Sequence, residues 1–272
     1  MKIANAAFFD HQKGVKIIGS LFLAISMGAA CASGELNPNL PPSGNFNLSN
    51  WQLDIPDAIA TTIPTSRLAY GYTDTYFYTD PIDGSMTFWC PVTGGTTPHT
   101  IYPRSELREM LNPKNPAVNW SWSGTHTITA TESVIQVPGT GNIVTLQIHG
   151  ITTNGGDATP LVKMMYNRTH SSLVFFVHSS SDNNSSSIHY IFNGINIGDL
   201  FSAKMQVVDG VLDMTVNGTT QSYDFASADP NWKNLNFYFK AGDYTQDNVG
   251  ASTEGGIVKI YSLHVAHEQF RK

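Results

Sequence analysis

Apolar and polar residues alternate with period two along most of the chain. Thr125 to Glu132 (THTITATE), Ile143 to His149 (IVTLQIH), Leu173 to His178 (LVFFVH) and Phe201 to Asp209 (FSAKMQVVD) each show it. Such alternation gives a strand one buried and one open face. In VLDMTVNGTTQSYDF, Asn217-Gly218 separates two such runs, the dipeptide that suits a tight hairpin turn. Leu235 to Lys240 and Ile257 to Val265 supply two further strands. A short helix is expected only within Ala58 to Ser66, and Ser179 to Ser187 (SSSDNNSSS) reads as a loop. Many short strands without βαβ alternation predict an all-β fold, an antiparallel β-sandwich of the jelly-roll type. No long linker or repeat follows Trp51, so residues 51–272 are expected to form one domain behind an extended Pro- and Asn-rich lead-in over 33–50.

Composition agrees. Charged residues make up 13% of the 272, about half the share in an average soluble protein. There are 23 Gly and 14 Pro, a balance suited to strands and turns rather than helices. Basic residues up to Lys16, an uncharged run from Ile17 to Gly34 and Ala30-Cys31-Ala32 have the form of an export signal over 1–32. A membrane anchor or a lipoprotein acylated at Cys31 are the variants of that reading. A secreted or periplasmic location follows. Beyond residue 32 there are 12 basic and 20 acidic residues, a net of −8. A nucleic-acid binder with a basic surface is excluded, and any polyanion must be held by a local cluster of cations. Cys90 would then be the sole cysteine, so neither a structural disulfide nor a thiolate zinc site is expected.

Three segments carry unusual polar residues. In Tyr102-Pro-Arg-Ser-Glu-Leu-Arg-Glu-Met110, a strand places Arg104, Glu106 and Arg108 on one face and Glu109 on the other. In Leu146-Gln-Ile-His-Gly150, Gln147 and His149 share a face. In Tyr238-Phe-Lys-Ala-Gly-Asp-Tyr-Thr-Gln246, Tyr238 and Lys240 share a face, and Ala241-Gly242 is expected to break the strand and let Tyr244 and Gln246 swing in beside them. Each segment alone equally fits a solvated strand face or an aromatic strand end. Together they offer cations, His and Tyr with one carboxylate. Glycoside hydrolysis needs two opposed carboxylates. The set instead suits β-elimination from a uronate, in which the neutralised carboxylate makes C5–H acidic, a base removes that proton and an acid protonates O4. Two metal readings fail. His264-Val-Ala-His267-Glu268 has the wrong order for a zinc helix and alternates as a strand, and Asp182-Asn183-Asn184 reads as a polar loop.

YPRSELREM, QIH and YFKAGDYTQ, in this order, resemble the three signature segments of the family 7 polysaccharide lyases, the alginate lyases. Trp51-Gln-Leu-Asp-Ile-Pro56 resembles that domain's opening. Thr245, where Asn is usual, and His99-Thr100, where Asn-Ser is commoner, are departures. The resemblance implies a jelly roll with an open substrate cleft and an endo-acting alginate lyase needing no metal or cofactor. Arg104, Gln147 and His149 would bind and neutralise the uronate carboxylate. Tyr244 would be the acid for O4, and for mannuronate the base as well. His149 would be the base for guluronate. Glu106, Arg108, Tyr238, Lys240 and Gln246 would orient these groups or hold neighbouring sugars. Ile148 in the QIH triplet implies activity on guluronate-containing blocks. Alginate is then the one partner expected, with no nucleic acid or stable protein partner, and a monomer suffices. The alternatives are a non-catalytic jelly roll that binds acidic polysaccharide, or a lyase for another polyuronate such as glucuronan.

Overall fold

The computed structural model describes residues 35–98 and 100–268. The export signal and Cys31 lie outside the described residues. The first eight strands are β1 (Trp51–Asp54), β2 (Thr62–Ile63), β3 (Phe77–Thr79), β4 (Met86–Pro91), β5 (Arg104–Glu109), β6 (Trp120–Ser121), β7 (Thr125–Gln136) and β8 (Asn142–Thr152). The others are β9 (Val162–Asn167), β10 (Ser172–His178), β11 (Ser187–Asn193), β12 (Phe201–Val208), β13 (Val211–Val216), β14 (Thr219–Asp224), β15 (Leu235–Thr245) and β16 (Gly255–Glu268). One sheet runs β11-β10-β9-β8-β15-β5-β1-β2, with β6 paired to β15; the other runs β14-β13-β12-β7-β16-β4-β3. Pairing is antiparallel in both.

The sandwich is the expected jelly roll, and its core lies between the two sheets. Leu107, Leu146, Ile148 and Phe239 from the first sheet are fully buried, as are Phe88, Ile128, Met205 and Val258 from the second. All but Phe88 and Leu107 come from the alternating runs of the sequence, so there periodicity and burial agree. The Asn217-Gly218 turn closes β13 onto β14 with φ values of 47° and 83°, both in the left-handed region that such a turn requires. Cys90 is a buried free thiol whose pKa burial pushes up.

Local order departs from expectation in two places. The lead-in is not wholly extended, because Pro42–Asn45 makes one helical turn in which proline at the first position is already set for helix. Within Ala58 to Ser66 the chain first forms β2, whose Thr62 donates a 2.6 Å hydrogen bond to Asp54 of β1. A helical turn starts only at Thr65, after Pro64. Further short turns cover Phe225–Ala228 and Pro230–Asn234.

One polar chain stitches the sheets together. Glu109 of β5 accepts from Trp120 Nε1 and Phe239 N, each at 3.0 Å, and contacts His267 Nε2 at 2.6 Å. His267 of β16 in turn lies 2.9 Å from His126 of β7, nitrogen to nitrogen. His126 donates from Nε2 to the Ser123 carbonyl at 2.8 Å, since a carbonyl can only accept.

Candidate active site

Three neighbouring strands of the first sheet, β8, β15 and β5, carry the residues singled out in the sequence. Register brings them together. Tyr238 lies opposite His149, Lys240 opposite both Gln147 and Arg108, and Tyr244 opposite Arg104. Directly paired residues face the same side of a sheet. Two irregularities make this possible, one in β15 between Ala241 and Tyr244 and one in β8 between Val144 and Leu146. The strand does not break at Gly242, as the sequence suggested, but bulges and continues to Thr245. Gln246 follows the strand end, and its amide donates to the Tyr244 carbonyl at 3.0 Å.

Arg104, Gln147, His149 and Tyr244 line one cavity of about 560 Å3, together with Thr100, Asp157, Lys163 and His178. Beneath it lies Glu106, fully buried. It binds Lys240 Nζ at 2.6 Å and Arg104 at 3.1 Å, and accepts a hydrogen bond from Gln147. Burial would push its carboxyl up, but Lys240 and Arg104 more than offset this and hold it below the usual glutamate range. Glu106 is therefore an anion that fixes three donors, rather than a group that meets a ligand. The Arg104 guanidinium also stacks 3.9 Å above the Tyr244 ring, and its buried Nε has no partner.

Arg108 lies on the face its spacing predicted, opposite Lys240, but its guanidinium is engaged by protein groups. Its guanidinium donates to the carbonyls of Glu109 and Pro116 and to Asn119, at 2.7 to 2.9 Å, and lies 4.1 Å from the Tyr238 ring centre. With these donors engaged, it lies against Tyr238 and supports that ring. Tyr238 in turn stacks on His149, with ring centres 5.3 Å apart and planes 17° from parallel.

The His149 tautomer follows from its partner. Nδ1 lies 2.9 Å from the Gly150 carbonyl, which can only accept, so Nδ1 carries the proton and Nε2 is left with a lone pair. Burial and the nearby Lys240 charge lower its pKa to about 4, although Asp157 lies 3.9 Å away. Tyr244, 9% exposed, is pushed the other way. Burial raises its pKa, and the adjacent Arg104 only partly offsets this. The cavity thus holds a neutral imidazole able to take a proton and a neutral phenol able to give one, beside a fixed guanidinium.

Sequence reasoning missed Lys163 and His178 in this cavity. Lys163 sits in VKMMYN of β9, on the half-buried face it shares with Met165 and Asn167, where a lone lysine reads as an ordinary strand residue. Only its pairing with Gln147 brings it to the site. The Asp182 carboxylate accepts a hydrogen bond from Asn184 N–H, and the Asn183 side-chain oxygen accepts one from the Thr159 hydroxyl; these bonds order the loop beside the cavity.

Comparison with known proteins gives a consistent result. The family described as alginate lyase matches residues 46–267. The crystal structure of alginate lyase A1-II', a member of polysaccharide lyase family 7, superimposes with a TM-score of 0.81. It is 49% identical, over 85% of this chain and 100% of that one. A variant of that enzyme, with His→Asn and Tyr→Phe exchanges, was solved in complex with a substrate written GGMG and is 48% identical, over 85% of this chain and 98% of its own. The alginate lyase of Pseudomonas aeruginosa is 36% identical over 81% of this chain and 99% of its own, with a TM-score of 0.75. An alginate lyase of Klebsiella pneumoniae is 26% identical over 83% of this chain and 91% of its own.

Proposed function

This chain belongs to the alginate lyases of polysaccharide lyase family 7, and from that premise we propose that it binds alginate and cuts its 1,4-linkages internally by β-elimination. The observation that carries the mechanism is the pairing, in one cavity, of His149 with a free Nε2 and Tyr244 with a retained proton. Arg104 and Gln147 neutralise the uronate carboxylate, so that negative charge developing at C5 can spread into it. His149 Nε2 removes the C5 proton, electrons form the C4=C5 bond, and the C4–O4 bond breaks as Tyr244 delivers its proton to O4. Glu106 and Lys240 hold Arg104 and Gln147 in place, Arg108 and Tyr238 hold the imidazole, and Gln246 lies at the end of β15.

A base and an acid on separate groups favour guluronate-containing blocks, where the proton and the leaving oxygen are met from different sides. Ile148 in the QIH triplet supports the same preference. A cleft open along the sheet fits internal cleavage. The signal over 1–32 supports secretion or a periplasmic location, with lipid attachment at Cys31 as its variant.

The test is ultraviolet absorbance during incubation with alginate, since the conjugated C4=C5 product absorbs and a hydrolysis product does not. Absorbance should rise with the wild-type protein. Tyr244→Phe should lose activity by about 10²–10⁴-fold while still binding the polymer. An unchanged rate in that variant would remove Tyr244 from the acid role, and a flat trace with wild-type protein would overturn the lyase reading for this polymer.

A further inference from the structure

The cleavage cavity does not end at β8. Register partners continue one row across the sheet: Lys240 on β15, Gln147 on β8, Lys163 on β9, Phe176 on β10 and His189 on β11. Partners in a row face the same side, so Lys163, Phe176 and His189 extend the floor on which Gln147 stands. A second cavity, lined by Lys163, Phe176, His178, Ser187 and Gln246, adjoins the first, and Lys163 and His178 belong to both.

Lys163 is chemically unlike its neighbours in this row. Lys240 is tied to Glu106, whereas Lys163 has no carboxylate within 4.0 Å among the described residues. It is half-buried, and burial together with the Arg104 and Lys240 charges pushes its ammonium below the ordinary lysine range. Glu106 acts on it only at a distance, and a desolvated cation among like charges with no paired carboxylate gains most from an external one. Next to it Phe176 is half-buried and meets the His189 ring edge-on at 4.4 Å between centres, leaving an aromatic surface beside the cation.

We propose that Lys163 and Phe176 form a second uronate subsite, in which Lys163 takes the carboxylate of a sugar beyond the one being cleaved and Phe176 carries its ring. This rests on the polyuronate reading above. The bound polymer then runs across the strands, and three strand steps from β8 to β11 add roughly 14 Å of floor. Substrate length, rather than the chemical step, is what this subsite reads.

Binding separates this subsite from the lyase reaction. In a Tyr244→Phe background, alginate oligomers of increasing length are titrated calorimetrically with and without Lys163→Met, Lys163→Arg and Phe176→Leu. Lys163→Met is expected to weaken binding about tenfold once the oligomer is long enough to reach β9, Lys163→Arg to retain most affinity, and Phe176→Leu to weaken the same lengths severalfold. In the otherwise native protein, Lys163→Met should raise KM on long chains with kcat within about twofold. Equal affinity at every length, or no binding at all in the Tyr244→Phe background, would overturn the subsite. A fall in kcat at every length would place Lys163 in the cleavage subsite instead and overturn it as well. Wild-type turnover on alginate is read separately by absorbance, so failure of the lyase reading is distinguishable.

Discussion

His149 is kept neutral by burial and by Lys240, and its tautomer is fixed by the Gly150 carbonyl. A free imidazole would be half protonated near pH 6.5, and as the base of this reaction it would lose activity there. In this cavity the pKa is about 4. Between the two values the proposed base is already deprotonated, so the acid limb of kcat/KM should fall well below pH 6 and approach pH 4. A limb at pH 6.5 or above would show that the cavity does not hold the His149 imidazole neutral in the acid range. Tyr244, raised by burial, keeps its proton on the alkaline side, so neither group limits the rate around neutrality.

The bulge in β15 sets the geometry for both. Gly242 has φ 141°, and a Cβ there would lie 2.6 Å from the Ser105 carbonyl oxygen and 3.0 Å from Glu106 Cα. Gly242→Ala should cost roughly 2–4 kcal/mol and shift Tyr244 away from Arg104. Urea denaturation and the absorbance assay would show the two losses together; a variant of native stability and rate would contradict the role given to the bulge. The strands themselves were legible in the sequence, because alternating runs such as THTITATE and IVTLQIH report burial directly. What could not be read was which strand lies beside which. The opposition of Tyr244 to Arg104 and of Lys163 to Gln147 is a property of register, set by contacts far apart in the chain. Arg108 illustrates the same limit. Spacing places it on the Arg104 face, but only the fold brings Pro116 and Asn119 to occupy its donors.

Across the sandwich, one buried acid works against the folded state. Glu132 of β7 faces Thr145 of the β8 irregularity at 3.3 Å, and its second oxygen has no partner. Burial raises its pKa from 4.5 to about 8. The native protein therefore keeps a proton that the unfolded chain releases above pH 4.5, and this group's contribution to stability declines as pH rises from 4.5 towards 8. The cost is on the order of 3 kcal/mol at pH 7. Glu132→Gln, which cannot ionise, should gain Tm relative to wild type progressively between pH 5 and pH 8. A difference that stays constant over that range would show that Glu132 does not hold its proton.

The distribution of charge shapes how such a molecule would meet a polyanion. Beyond residue 32 the net charge is −8, yet Arg104, Arg108, Lys163 and Lys240 gather on β5, β9 and β15 of one sheet. Most collisions with an acidic polymer are repelled, and only an approach onto that face is attractive. Added salt acts on both forces. A little relieves the repulsion felt at long range, and more weakens the grip at contact. On the reading proposed above, such a surface would let the protein move through a polymer mesh without adhering to it sideways, and would drive cleaved fragments off rather than recapture them.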